Sequence, residues 1–184
     1  MAFIGIDAII YGVTDIKKGA QAFVDFGLKK VKSGATEAVL ETQDGSRVII
    51  RPRGDKSLPK AIQPGSTVRE MIWGVSAKSD LARIRKELSK DRPVTEDKDG
   101  TLHSVDNNGL GIGFRKSQRR KLKTRSATPI NAPEAVVRID DRATYYDKAN
   151  PLTLGHAVFT VPSYQDTQDF YVNRLGFEVS DYYK

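Results

Sequence analysis

Only two histidines occur in this chain, and there is no cysteine, so imidazole and carboxylate are the side chains left to do metal or acid–base chemistry. His156 heads the run Leu154-Gly155-His156-Ala157-Val158-Phe159-Thr160-Val161-Pro162. A neutral imidazole there can ligate a divalent metal. Taken alone, a histidine opening a strand is more often a structural residue. His103 stands three residues before Asp106. A His–Asp pair can act as a general base with its orienter, although neighbours at this spacing are usually incidental. Glu70 offers a carboxylate that can bind metal, against the plainer reading of a sheet-edge charge. Tyr11, Trp73 and Phe159 share a strand register, which suits core packing better than a ring-binding pocket.

Other features are less chemical. Asp97-Lys98-Asp99-Gly100 begins like a calcium loop but lacks the later ligands and the closing glutamate, so it reads as a turn. The net charge of +7 is concentrated in Arg115, Lys116, Arg119, Arg120, Lys121, Lys123 and Arg125. A run of this kind is usually a solvated connector. With no aromatic residue interleaved and no nucleic-acid motif, it gives no reason to expect a nucleic-acid partner. The absence of cysteine excludes disulfides, thiolate metal sites and a cysteine nucleophile. No stretch approaches the ~20 apolar residues of a membrane span, and the first residues lack a signal peptide's charged segment. The expectation is a cytoplasmic protein with no membrane partner.

The elements that must position these groups repeat. Ile6–Val13 is apolar and rich in β-branched residues, as strands are. Asp15 is placed to cap a helix whose apolar face is Ile16, Ala20, Phe23 and Phe26, and Gly27 is placed to end it. Strands are expected at 28–33, 37–42 and 47–51, the last two joined by Asp44-Gly45. A second unit follows after roughly sixty residues. It comprises a strand over 68–75, a helix over 80–90 with Leu81, Ile84 and Leu88 on one side, and strands at 93–96, 101–105 and 110–115. Asn108-Gly109 mirrors Asp44-Gly45, and Met71-Ile72-Trp73-Gly74-Val75 mirrors Ile9-Ile10-Tyr11-Gly12-Val13. Residues 116–150 lose periodicity and read as a linker. A third unit starts with the His156 strand, and its helix, about 164–175, turns Tyr164, Phe170, Tyr171 and Leu175 inward. The fold class is α+β: paired βαβββ modules forming a curved mixed sheet flanked by helices. The predicted organisation is a domain over 1–115 (modules 1–62 and 63–115), a linker over 116–150, and the opening of an incomplete domain over 151–184.

The third unit carries a resemblance. Leu-Gly-His, then Val161-Pro162 five residues on, Phe170-Tyr171 and Leu175-Gly176-Phe177 resemble the start of a module of the vicinal oxygen chelate superfamily. That superfamily includes glyoxalases, bleomycin-resistance proteins and extradiol dioxygenases, and the chain looks most like a two-domain extradiol dioxygenase. The resemblance implies that His156 is a metal ligand, since this position carries one in the family. Aligned through Val13, Val75 and Val161, the equivalent positions of the first two modules are Ala8 and Glu70. The last-strand positions, counted from Gly45 and Gly109, are Ile49 and Gly113. One possible ligand among four implies a metal-free first domain. The resemblance further implies Fe(II), or Mn(II), bound only in a complete protein, with the remaining ligands beyond Lys184. The implied reaction is O2-dependent cleavage of a catechol-type ring; separately, an unfinished module and exposed strand edges point to a homo-oligomer. A glyoxalase-like metal enzyme and a non-catalytic module binding an aromatic ligand are the alternatives.

Overall fold

Alternating bulky apolar residues make the first segment the centre of a sheet. A computed structural model describes residues 3–123, 147–179 and 181. In it β1 (Phe3–Val13) pairs antiparallel with β5 (Thr67–Val75), and each has a parallel neighbour, β4 (Arg47–Pro52) and β8 (Gly111–Lys116). Outside these lie β3 (Ala38–Glu41) and β2 (Lys29–Ser33) on one side, β7 (Leu102–Val105) and β6 (Thr95–Glu96) on the other. The order β2-β3-β4-β1-β5-β8-β7-β6 is one mixed sheet in which two βαβββ units meet along β1 and β5. This is the α+β architecture expected from the sequence.

Helix α1 (Ile16–Asp25) starts where Asp15 accepts a hydrogen bond from the Lys18 amide at 3.0 Å. It stops before Gly27, whose φ of +103° lets the chain turn back. Ile16, Ala20, Phe23 and Val24 pack on Val13, Leu40, Val48 and Ile50. Phe26, expected on that face, is the C-terminal cap and is 66% exposed. Helix α2 (Lys78–Leu88) begins two residues earlier than its periodicity suggested, without a side-chain cap. Ile84 and Leu88 are fully buried against Val75, Leu102, Ile112 and Phe114. Each such burial stabilises the fold by about 1.5–3 kcal/mol. Both helices therefore cover one face of the sheet and leave the other open.

The segment after residue 147 departs from expectation. No strand forms over 154–161. The extended chain crosses the middle of the helix-bearing face, whereas the sheet's free edges are β2 and β6, so its backbone meets no ladder. It is anchored at one end by the Gln43 and Asp44 amides, which donate to the Pro151 and Leu152 carbonyls at 3.1 and 2.9 Å. Leu154, Ala157 and Phe159 then lie on Ile6, Ile9 and Met71. Ser163 caps a short helix, α3 (Tyr164–Gln168), which widens into a π-helical stretch over Asp169–Arg174. Phe170 and Leu175 are buried in the same cluster as Ile84 and Leu88, and Phe177 stacks on Phe3 at 3.7 Å. Tyr164, expected inside, is 52% exposed. An apolar helix with no sheet of its own has thus taken the nearest one.

The basic run is only partly a connector. Buried Asp7 accepts from Arg115 Nε at 3.0 Å, Arg119 Nε at 3.2 Å and Ser117 Oγ at 2.9 Å. Gly74 leaves the space that this carboxylate occupies. Arg120 donates to Glu41 at 2.7 Å. The first residues of the expected 116–150 linker are therefore pinned to the sheet by ion pairs that composition cannot reveal, and 124–146 lie outside the described residues.

Candidate functional site

The open face of the sheet holds a cleft of about 620 Å³. Its floor is apolar, from Ile10, Ile49, Leu58 and Ile72. The polar centre is a pair from the second module: His103 Nδ1 donates to Glu70 Oε1 at 2.7 Å. A carboxylate only accepts, so the proton sits on Nδ1. Glu70 is on β5 and His103 on β7, and β8 runs between them. Gly113 gives the contact room, because a Cβ there would stand a tight 3.1 Å from Glu70 Oε1 and 3.0 Å from Ile72 Cγ1. Asp97 Oδ2 lies 3.1 Å from His103 Nε2, an ion pair with the ring in its charged form. The hydrogen bond to Glu70 raises the His103 pKa above its ordinary value. Burial opposes this, while the charges of Glu70 and Asp97 add to it. Chemically the pair is an oriented imidazole that favours its charged form.

The remaining candidates are distributed elsewhere. His103 and Asp106 do not meet. Asp106 accepts from the Asn108 and Leu110 amides at 2.8 and 2.9 Å and from the Tyr171 hydroxyl at 3.0 Å, so it shapes the 106–110 turn and ties down the C-terminal helix. Burial first, and then the Asp106 charge, push the Tyr171 phenol far up, and it stays a neutral donor. Asp97–Gly100 is a turn, closed by the Gly100 amide on the Asp97 carbonyl at 2.9 Å. Tyr11, Trp73 and Phe159 pack around Ile6, Ile9 and Met71 on the helix-bearing face.

None of the four first- and last-strand positions of the first two modules offers an uncommitted donor side chain. Ala8 is fully buried, Ile49 lines the cleft floor, Gly113 has no side chain and Glu70 is engaged by His103. His156 itself is solvent-exposed, and none of residues 147–179 lines the open-face cleft, so the two histidines are not brought together. Among the described residues no group of three or more His, Asp or Glu side chains is placed to hold a metal ion. These residues alone do not fit the centre that the resemblance implies. The Glu70–His103 pair escaped sequence reasoning because its members are 33 residues apart. The available signal was Gly113, a glycine in a strand where another chain group must pass.

No family model and no curated protein matches the chain. Solved structures do. The Mn(II)-bound glyoxalase from Novosphingobium aromaticivorans has a TM-score of 0.66 at 20% identity, over 98% of this chain and 55% of its own. The halotolerant catechol dioxygenase BphC gives 0.64 at 13% identity, over 96% of this chain and 56% of its own. The 2,3-dioxygenase LapB from Pseudomonas sp. KL28 gives 0.64 at 13%, over 96% and 59%. The chain thus spans between 55% and 59% of the length of these proteins. At such identities the likeness establishes the fold, that of the vicinal oxygen chelate glyoxalases and extradiol dioxygenases.

Proposed function

From the vicinal oxygen chelate fold as premise, we propose that this chain is the N-terminal part of an extradiol-type dioxygenase that opens a catechol-type ring with O2. The metal is Fe(II), with Mn(II) the alternative, held by His156 and by ligands beyond Lys184. The observation that carries the reading is the state of the first two modules: Ala8, Ile49 and Gly113 have no donor side chain, and Glu70 is tied to His103. The module pair therefore serves as scaffold, and His156 is the imidazole left free for ligation. Two of the three structures compared are dioxygenases, which supports this choice of reaction. The same reading takes the protein to be a cytoplasmic homo-oligomer, and no helix among the described residues is long and apolar enough to cross a membrane.

A second reading, a glyoxalase-like enzyme with a different metal and no O2, is favoured by the likeness to the Mn(II)-bound glyoxalase. Oxygen uptake by the intact, metal-loaded protein across a panel of catechols, set against methylglyoxal–thiol turnover, separates the two. The expected result is catechol-dependent O2 consumption that is lost in His156→Ala. Absence of any divalent metal from the intact protein, or an active His156→Ala variant, overturns both. Saturable aromatic binding after chelator treatment, without turnover, would point to a non-catalytic binding module.

A further inference from the structure

We infer that Glu70, His103 and Asp97 form a proton-controlled latch on the rim of the open-face cleft. When His103 loses one proton, the ring keeps Glu70 and releases Asp97, and the 97–100 turn loosens. The inference rests on neither the proposed dioxygenase nor any metal.

The two contacts of the ring differ in what it costs to break them. Nδ1 lies 2.7 Å from Glu70 Oε1, and Nε2 lies 3.1 Å from Asp97 Oδ2. The charged ring presents an N–H at both nitrogens, whereas a neutral ring keeps one and turns the other into an acceptor. Glu70 is 3% exposed on a central strand, and a buried carboxylate deprived of its donor is costly. The Asp97 side chain is 70% exposed, so water replaces its partner. The remaining proton therefore stays on Nδ1. The Nε2 lone pair then faces the Asp97 carboxylate, and two acceptors at that separation repel.

The latch acts on a weakly held element. β6 is two residues long and outermost in the sheet, and the turn after it carries Asp97 and Asp99 into the cleft lining. The Asp97 amide donates to the Thr101 carbonyl and the Gly100 amide to the Asp97 carbonyl, both at 2.9 Å. Ser104 Oγ donates to the Pro93 carbonyl at 2.9 Å, and Glu96 pairs with Arg85. These ties keep the hairpin, so the change is confined to the turn and the rim. No other charge on this face replaces the lost contact. Asp99, which accepts from the Thr101 amide at 3.0 Å, would repel the lone pair as Asp97 does. Arg115, two residues along β8 from Gly113, is held by Asp7, and Thr95, opposite His103 on β6, is uncharged. The hydrogen bond to Glu70, opposed by burial, raises the His103 pKa. The latch is thus closed at and below the ordinary value of about 6.5 and opens as pH rises through the folded-state value.

The test follows the chain labelled with ¹⁵N-histidine through a pH titration, with His156→Ala assigning the two rings. Above its midpoint His103 is expected to be the Nδ1–H tautomer. Amide exchange at Asp97 and Gly100, taken relative to the intrinsic rate at each pH, should lose about two- to fivefold of its protection across the same midpoint. In Asp97→Asn the side-chain amide can accept from an N–H or donate to a lone pair. That variant should abolish the step and lower the His103 midpoint by about half a pH unit. The wild-type tautomer and exchange readings stand without the variant. An Nε2–H tautomer above the midpoint, protection that is constant through the titration, or a step that persists in Asp97→Asn overturns the inference.

Discussion

The two histidines mark regions that differ in how they achieve order. His103 belongs to an open sheet whose eight strands pair with one another, and its ring is fixed by Glu70 across a glycine. His156 belongs to an extended segment with no ladder, lying on a face that the first two modules provide. A polar side chain can thus be well held and unavailable, or exposed and free. His103 and Glu70 satisfy one another, so neither has spare capacity for a metal at that contact. His156 carries no such commitment among the described residues.

The largest test of this contrast concerns dependence. Phe114→Ala removes a fully buried ring and should lower stability by about 3–5 kcal/mol in denaturant titration. Leu175→Ala, though it lies in the C-terminal segment, should cost about 2–5 kcal/mol in the same single transition, because Leu175 shares a cluster with Ile84 and Leu88. A Leu175→Ala variant with unchanged stability would show that the segment does not share the core. Next in size, Asp7→Ala leaves Arg115 and Arg119 without their buried partner and should cost about 3 kcal/mol.

Smaller and more specific is the Glu70–His103 contact. Glu70→Gln should cost about 1–3 kcal/mol and should also change the pH dependence. The folded-state pKa of His103 is raised, so the pair's contribution is complete below the unfolded-state value of about 6.5 and is lost as pH rises through the folded-state value. Wild-type protein should therefore lose stability over that rise while Glu70→Gln does not, as thermal melts across the pH series would show. Gly113→Ala should act in the same direction, since its Cβ crowds Glu70 Oε1. The smallest effect is expected at His156→Ala. With the side chain exposed, stability should stay within about 0.5 kcal/mol of wild type.

Legibility followed the same division. The βαβββ order, the Asp15 cap and the Asp44-Gly45 and Asn108-Gly109 turns are local patterns, and each element formed within a few residues of its expected bounds. Phe26 failed because helical periodicity continues on paper past the point where Gly27 turns the chain. The strand over 154–161 failed because strand propensity says nothing about whether a partner backbone lies alongside. The pairs Glu70–His103, Asp7–Arg115 and Asp106–Tyr171 join residues 33 to 108 positions apart, and only the register of the sheet and the docking of the C-terminal helix bring them together.

The most direct test is the divalent-metal content of the intact protein, measured for wild type, His156→Ala and Glu70→Gln. Bound metal is expected in wild type, with its loss in His156→Ala and its retention in Glu70→Gln. Metal that survives His156→Ala but leaves with Glu70→Gln would contradict it, because the centre would then lie in the module pair that this account treats as scaffold.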